Sequence, residues 1–170
     1  AVPEARSTVF RWLGIGSVEI RRGEPSATPG AALDLGAPST LAALDIPVLQ
    51  PQGLGTPGVY VTTLPDGTRA ASLVYDGPIL VQTFSARVTP FIEKTLGMGA
   101  DAERLTIDGA PAFWITGAHG FAYTTEAGTA FEEQRIADRT LLVERRDGLL
   151  LRIEGAPTRE RAVALARSVQ

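Results

Sequence analysis

Short runs in which apolar and polar residues alternate cover much of the chain between residues 58 and 125, and turn-forming residues separate them. A period of two predicts half-buried strands. Residues 59–64, 69–75 and 79–87 form a predicted three-strand meander, because Pro-Asp-Gly and Asp-Gly turns lie between them. Further strands are predicted at residues 17–22, 104–108, 112–116 and 120–125.

The hairpin over residues 141–154 can be assigned a register from its apolar positions. A two-residue loop would mix charged and apolar residues on both faces, whereas a three-residue loop over 146–148 would not. We therefore predict a bulged turn with Gly148 at positive φ. The charged residues beside the turn, among them Arg152 and Glu154, are predicted to form a solvated, self-paired face. The apolar face would consist of Leu141, Val143, Leu149, Leu151 and Ile153.

Helices are predicted at the two ends of the chain and between the sheet segments. Residues 3–13 begin with a proline, Ser39 is a candidate cap for a short helix through residue 44, and Thr89-Pro90 would open another that ends near Gly97. Near the C-terminus, Thr158 is the predicted cap of a helix that packs on the apolar face of the hairpin. Its apolar stripe is Ala162, Leu165, Ala166 and Val169.

Strands dominate and tight turns join most of them. This arrangement favours an α+β fold with a mostly antiparallel, curved sheet of meander hairpins, on which N-terminal, short central and C-terminal helices pack. Residues 1–22 would form an N-terminal helix and strand, residues 23–38 a Gly/Pro-rich loop, and residues 39–170 the main α+β domain.

The composition narrows the range of functions. The 170 residues include no cysteine and one histidine, so disulfides, thiolate nucleophiles and typical zinc sites are not expected. A formal net charge of -3 offers no basic surface for nucleic acid. No apolar run approaches the ~18 residues of a membrane span, and no signal peptide begins at Ala1. We expect no metal, no cofactor and no nucleic acid to be bound by this domain.

Two features have the form of catalytic or cofactor motifs. Residues 53–58 match the glycine spacing of dinucleotide-binding loops, but Pro57 and the β-prone residues that follow do not suit a helix, so a plain loop is predicted. His119 would be the general base of a hydrolase only if a nucleophile accompanied it, and no G-x-S-x-G elbow occurs. We therefore assign no catalytic residue and expect His119 to be a structural residue of a turn.

Four residues are candidates for ligand or partner binding: Phe113, Trp114, His119 and Tyr123. In a strand, the neighbouring rings of Phe113 and Trp114 point to opposite faces. One ring must therefore face a second layer, a partner or water. Core packing is the alternative role for most aromatic residues of this chain.

The order of motifs in the C-terminal half resembles that of a known protein family. It resembles the extracytoplasmic C-terminal domain of bacterial membrane-anchored anti-sigma factors and related uncharacterised membrane proteins. The resemblance covers most of residues 40–170, and residues 3–20 fit the juxtamembrane opening of that family. It departs at Ala118, where a proline is common, and at Glu144, where an aromatic residue is common. The motifs are Leu105-Thr106-Ile107-Asp108-Gly109, Phe113-Trp114-Ile115-Thr116-Gly117, His119, Leu141-Leu142-Val143-Glu144, Asp147-Gly148, Leu151-Arg152-Ile153-Glu154-Gly155 and the helix at 162–168.

The resemblance implies a function without enzymatic activity. It implies a sensor or interaction domain outside the cytoplasm, tethered to the cell membrane through a segment upstream of Ala1. The partner would be an unknown extracytoplasmic signal or protein, with a homodimer as a further alternative. Two other function classes stay open: a carrier-like module that binds a lipid or peptide in an apolar groove of the sheet, and a hydrolase that uses His119.

Overall fold

The computed structural model describes residues 18–22, 35–64, 67, 69–84, 91–96, 99–120, 122–124, 130–132 and 137–169, with the backbone alone for 18–22, 91–96, 122–124 and 130–132. Twelve strands and one α-helix lie in these ranges. They are β1 (Val18–Arg22), β2 (Ala37–Ser39), β3 (Gly58–Thr63), β4 (Arg69–Tyr75), β5 (Ile79–Phe84), β6 (Phe91–Leu96), β7 (Asp101–Ile107), β8 (Ala110–His119), β9 (Ala122–Thr124), β10 (Ala130–Glu132), β11 (Ala137–Glu144), β12 (Leu150–Glu154) and α1 (Arg159–Arg167).

The strands hydrogen-bond into one sheet. Its main part is antiparallel and has the order β7-β8-β11-β12-β5-β4-β3-β2. Strands β10, β9 and β6 join it at the end of β8, where Leu96 pairs with His119. Strand β1 pairs with β6 in parallel, and is the exception to the antiparallel arrangement among the described strands. The predicted α+β fold with a mostly antiparallel sheet is confirmed.

The predicted register of the β11–β12 hairpin is confirmed. Val143 pairs with Leu151, and the backbone N–H of Arg145 donates to the Leu149 carbonyl at 2.9 Å. Gly148 has a φ of 80°, which only glycine adopts without steric cost. Leu149 at the end of the apolar row is half-buried, and the other four side chains of that row are buried.

One face of the sheet packs against α1, and we call its buried residues the helix-side cluster. The helix begins after Thr158, whose hydroxyl accepts a hydrogen bond from the N–H of Arg161 at 3.2 Å and so satisfies one of the free amides of the first turn. The C-terminal helix is therefore confirmed, and its stripe covers the hairpin. The cluster includes Leu73, Val81, Trp114, Leu141, Leu151, Ile153, Ala162, Leu165 and Ala166.

The opposite face of the sheet is also buried, which the sequence did not predict. Its apolar residues form a second cluster around Phe84, Phe113, Ile115 and Leu142. The solvated face predicted around Arg152 is wrong, because the Arg152 side chain is 0% exposed. Charged residues in alternate positions of a strand favour a solvated face, but here they face a second buried layer.

The predicted central helices are wrong. Residues 91–96 form strand β6, hydrogen-bonded on one side to β1 and on the other to β9. The segment after Ser39 contains only a short 3-10 turn, Leu41–Ala43, and Ser39 itself ends strand β2. Thr40 occupies the N-cap position and makes no capping bond with its side chain. The predicted helix over residues 3–13 lies outside the described residues.

Candidate functional site

Polar side chains lie next to one another across the buried face opposite α1, and we call this set the polar row. The row is set by the strand register, in which Thr140 pairs with Glu154, Arg152 with Gln82, and Gln82 with Ser72. Directly opposite residues in antiparallel strands place their side chains within contact distance on the same face. The row therefore crosses strands β11, β12, β5 and β4 without a break. Its members are His119, Thr140, Glu154, Arg152, Gln82 and Ser72.

A buried ion pair lies at the centre of the row. Nη2 of Arg152 donates to Oε2 of Glu154 at 2.5 Å, and the two side chains are 0% and 9% exposed. Charges removed from water are tolerated only when they are paired and hydrogen-bonded. The ion pair therefore leaves the polar row close to electrical neutrality.

Gln82 connects this ion pair to strand β4. Its Oε1 accepts from Nη1 of Arg152 at 2.8 Å, and its Nε2 donates to Oγ of Ser72 at 2.9 Å. A guanidinium has no acceptor, so the amide oxygen must face Arg152. The orientation of the amide group is thus fixed by the charge beside it, and the contacts extend over three adjacent strands.

His119 ends strand β8 beyond an irregularity of the sheet. Between Thr116, which pairs with Arg139, and His119, which pairs with Ala137, strand β8 has one residue more than β11. Gly117, in this bulge, has a φ of 78°, as expected for a glycine bulge that redirects a strand. The imidazole Nδ1 lies 2.7 Å from the Gly117 carbonyl oxygen, and Nε2 lies 2.9 Å from Oγ1 of Thr140.

These contacts define what His119 can do chemically. A carbonyl oxygen only accepts, so Nδ1 carries a proton and donates it to Gly117. An oriented histidine next to a hydroxyl has the arrangement of a base and its nucleophile. However, His119 and Thr140 are both 0% exposed, so no substrate carbonyl can reach the Thr140 oxygen. The contacts support a structural role for His119, but its predicted place in a turn is wrong, because His119 is the last residue of strand β8.

The aromatic candidates lie on opposite faces, as the strand alternation predicted. Phe113 belongs to the cluster on the face of the polar row and is 0% exposed, whereas Trp114 belongs to the helix-side cluster and is 7% exposed. Both rings therefore face a buried layer. Tyr123 lies in β9, where its backbone pairs with Ile92 of β6 and Phe131 of β10.

An open cleft of about 560 Å³ lies where four strands end near Glu154. Its walls come from the β4–β5 turn, the ends of β11 and β12, and Leu35. Gly155 makes this close approach of the segments possible, because it has a φ of 82° and a Cβ atom there would overlap the Pro78 carbonyl oxygen. The lining is mainly apolar, with three charged residues: Asp138, Arg139 and Glu154.

The sequence did not predict the polar row or the cleft. Ser72 and Gln82 were the available signals, because they are polar residues inside otherwise apolar predicted strands. Of the motif at residues 53–58, residues 53–57 form a loop and Gly58 begins strand β3, so the helix that a dinucleotide site requires does not follow. Within the described ranges, no group of three or more His, Cys, Asp or Glu side chains is placed to hold a metal ion.

Comparisons with known proteins give no assignment for this chain. No family model matches it, and no curated protein or solved structure matches it either. In the part of the chain that the structure describes, no helix has the length and hydrophobicity needed to cross a membrane.

Proposed function

We propose that the chain is a non-enzymatic, extracytoplasmic sensor or interaction domain of a membrane-anchored transcription regulator of the anti-sigma factor type. The observation that carries the proposal is the placement of the motifs that resemble this family. They fall on β7, β8, β11, β12 and α1, which pair or pack with one another and supply residues to both buried clusters. Motifs that are neighbours in the folded chain support the resemblance more than the same motifs scattered over separate surfaces would.

The geometry of the polar row supports a role in binding over a role in catalysis. Its polar groups hydrogen-bond one another, and His119 and Thr140 are fully buried. A catalytic site needs a titratable group and a nucleophile that a substrate can reach. The described part of the row is buried and hydrogen-bonded, and its member Glu154 also lines the open cleft, which suits a domain that recognises a ligand or partner.

The connection of β1 to the sheet suggests how a signal would leave the domain. In the proposed regulator, the segment before β1 leads to the membrane. Strand β1 is hydrogen-bonded to β6, and β6 reaches β8 at the pair Leu96 and His119. A change in the binding state of the sheet would alter the stability of this edge, and with it the exposure of the preceding segment to a protease.

The proposal is tested with the complete reading frame that contains this chain, expressed in its native host with an epitope tag inside the domain. We expect the tag in the membrane fraction, and we expect protease added to intact spheroplasts to remove it while a cytoplasmic control protein survives. Deletion of the codons for residues 39–170 of this chain should change the transcription of genes that depend on one alternative sigma factor. A soluble, protease-protected product with unchanged transcription would contradict the proposal.

A carrier-like module is the second candidate function, and the cleft favours it. A volume of about 560 Å³ falls within the range of small-molecule sites, which are mostly apolar with a few polar groups. The two functions differ in location and in consequence. Deletion of a carrier would leave transcription unchanged, so the deletion experiment described above separates the two functions.

A further inference from the structure

Among the described residues that line the cleft beside Glu154, apolar side chains form one wall and Arg139 supplies the one cationic group. The apolar wall consists of Leu35, Val74, Ile79 and Leu80, which come from three separate segments of the chain. An apolar wall of this kind holds a ligand by removing hydrocarbon from water. It does not by itself select the head group of that ligand.

The charges at the cleft decide which head group fits. The carboxylate of Glu154 is already paired with Arg152 at 2.5 Å. Nε of Arg139 lies 3.7 Å from Oδ2 of Asp138, which is too long for a hydrogen bond. In the described part of the chain, this is the one ion pair of Arg139, so its planar set of donors is open for an anion.

The exposed fractions of Asp138 and Arg139 also favour an anionic ligand. The Asp138 side chain is 73% exposed and the Arg139 side chain is 46% exposed. Asp138 is therefore mostly hydrated, and its attraction for a cation would be weakened by water. The Arg139 side chain is more covered than that of Asp138 and also lines the cleft, so it can bind an anion whose hydrocarbon part enters the cleft.

We propose that this cleft binds an amphiphile with one anionic head group, held by Arg139, and with an alkyl chain against Leu35, Val74, Ile79 and Leu80. The shared chemistry is an alkyl chain with a carboxylate or phosphate head, which a free fatty acid or a membrane phospholipid can supply. This inference deepens the proposed binding role of the domain and rests on it.

The test uses the full chain and calorimetric titration with sodium dodecanoate below its micelle concentration. We expect saturable binding, with weaker binding of 1-dodecanol and dodecylammonium and no binding of acetate. Arg139→Gln should weaken dodecanoate binding by roughly 10- to 100-fold, the usual effect of losing a charged hydrogen-bond partner. The same variant should change the binding of dodecanol little, because that ligand has no charge to lose.

Arg159→Gln is the matched control, because its side chain is 43% exposed, close to the value for Arg139, and it lies on α1, outside the cleft. It should leave dodecanoate binding unchanged. Val74→Phe should weaken dodecanoate and dodecanol alike by filling the cleft, and a thermal melt checks that this half-buried site still folds. Dodecanoate binding that is equal in Arg139→Gln, or weaker than that of dodecylammonium, would overturn the inference.

A second arm of the experiment identifies the source of the amphiphile. The chain is mixed with vesicles of phosphatidylglycerol and phosphatidylcholine, recovered free of vesicles, and analysed for lipid by mass spectrometry. Phosphatidylglycerol in the recovered protein supports a phospholipid source, and its absence together with dodecanoate binding supports a free fatty acid. Failure of both arms refutes the ligand, while the membrane and transcription experiments above would still decide the proposed function.

Discussion

Two glycines near the cleft have nearly the same backbone angle and different surroundings. Gly77 has a φ of 77° and a Cβ atom there would meet no atom within 4 Å, whereas a Cβ atom on Gly155, with a φ of 82°, would overlap the Pro78 carbonyl oxygen. At Gly77 only the left-handed backbone disfavours a side chain. At Gly155 the backbone angle and a contact with another main-chain segment act together.

This difference predicts unequal effects of the same substitution. Gly77→Ala should lower the free energy of unfolding by about 1–2 kcal/mol, the cost of the left-handed conformation. Gly155→Ala should cost a further ~1–3 kcal/mol for the overlap. Asparagine tolerates positive φ, so Gly77→Asn should recover stability and Gly155→Asn should not. Equal losses in urea unfolding at the two positions would contradict the packing described for Gly155.

The hydrogen bonds of His119 predict the outcome of its replacement. Leucine would leave the Gly117 carbonyl and the Thr140 hydroxyl without these partners, so His119→Leu should lower the free energy of unfolding by ~1–3 kcal/mol. His119→Gln keeps a donor and an acceptor and should lose less. In a double-mutant cycle with Thr140→Val, the combined loss should be smaller than the sum, as measured by denaturant titration.

Two outcomes would contradict the role described for His119. If the losses from His119→Leu and Thr140→Val simply add, the bond between the two side chains contributes nothing to stability. If His119→Gln abolishes a hydrolytic activity of the pure protein while stability is unchanged, the structural role of His119 is refuted and the hydrolase hypothesis takes its place.

At the scale of single elements, local signals explain which predictions succeeded. The C-terminal helix has its cap at Thr158 and its apolar stripe within a dozen residues. The signals that predict this helix are therefore local in the sequence. The register of the β11–β12 hairpin was also local, because only one loop length gathers its apolar residues on one face. Asp108 and Gly109, with φ of 51° and 79°, form the type of tight turn that an Asp-Gly pair favours between strands.

The wrong predictions involve information that lies far away in the sequence. Residues 91–96 are six residues long, which is too short for their periodicity to separate a helix from a strand. Their partner β1 lies about 70 residues earlier and pairs with them in parallel. No sequence pattern near residue 91 indicates this pairing. Strand β8 extends to His119 because a bulge at Gly117 lets it continue, and a glycine inside a strand was the signal for that bulge.

The polar row could not be read from the sequence for a related reason. Alternating charges at Arg152 and Glu154 are typical of a solvated strand face, since such residues are rarely buried unless they are paired. Their partner Gln82 lies 70 residues away from Arg152. Only the strand order β12-β5-β4 brings the three strands together, and the strand order is a property of the whole chain.

The hairpin turn predicts a dependence of stability on pH. Burial tends to raise the pKa of the Asp147 carboxyl, but hydrogen bonds from Arg145 and from the Leu149 N–H, with the charge of Arg145, outweigh it and hold that pKa below its usual value. A lowered pKa in the folded state stabilises the fold above the unfolded pKa of about 3.9. This stabilisation is lost as the pH falls through the folded pKa.

Asp147→Asn should therefore lower stability near neutral pH, and the difference from the native protein should shrink as the solution is acidified to about pH 2–3. Arg145→Gln should remove most of the same dependence, because its hydrogen bonds to Asp147, both at 3.0 Å, would be gone. Urea unfolding at a series of pH values measures both variants. A deficit of Asp147→Asn that is constant with pH would show that the loss comes from the turn geometry and not from the charge.

The helix predicts a large effect from one buried side chain. Leu165 is 1% exposed within the helix-side cluster, so Leu165→Ala should lower the free energy of unfolding by about 2–5 kcal/mol through lost burial and the cavity left behind. The exposed neighbour Arg161 is the control, and Arg161→Ala should stay within ~0.5 kcal/mol. A loss below ~0.5 kcal/mol for Leu165→Ala in chemical denaturation would place α1 outside the core.

At the scale of the whole molecule, the central strands are buried on both faces. Strands β8, β11 and β12 each contribute to the helix-side cluster on one face and to the second cluster on the other. Because the same strands carry both clusters, loss of either one removes support from the other. We therefore expect the sheet to unfold as one cooperative unit, and the polar row to be disrupted only when the sheet opens.

The ion pair between Arg152 and Glu154 tests this expectation. Arg152→Met or Glu154→Gln alone should lower the free energy of unfolding by about 3–5 kcal/mol, because each leaves a buried polar or charged group without its partner. The double variant should lose less than the sum of the two. Since the pair is 0% and 9% exposed, added salt should screen it little, unlike the exposed pair of Arg159 and Glu103.

Far- and near-ultraviolet circular dichroism should give coincident denaturation curves for every variant. Additive losses, or a near-ultraviolet transition that precedes the far-ultraviolet one, would mean that the polar row opens independently of the sheet.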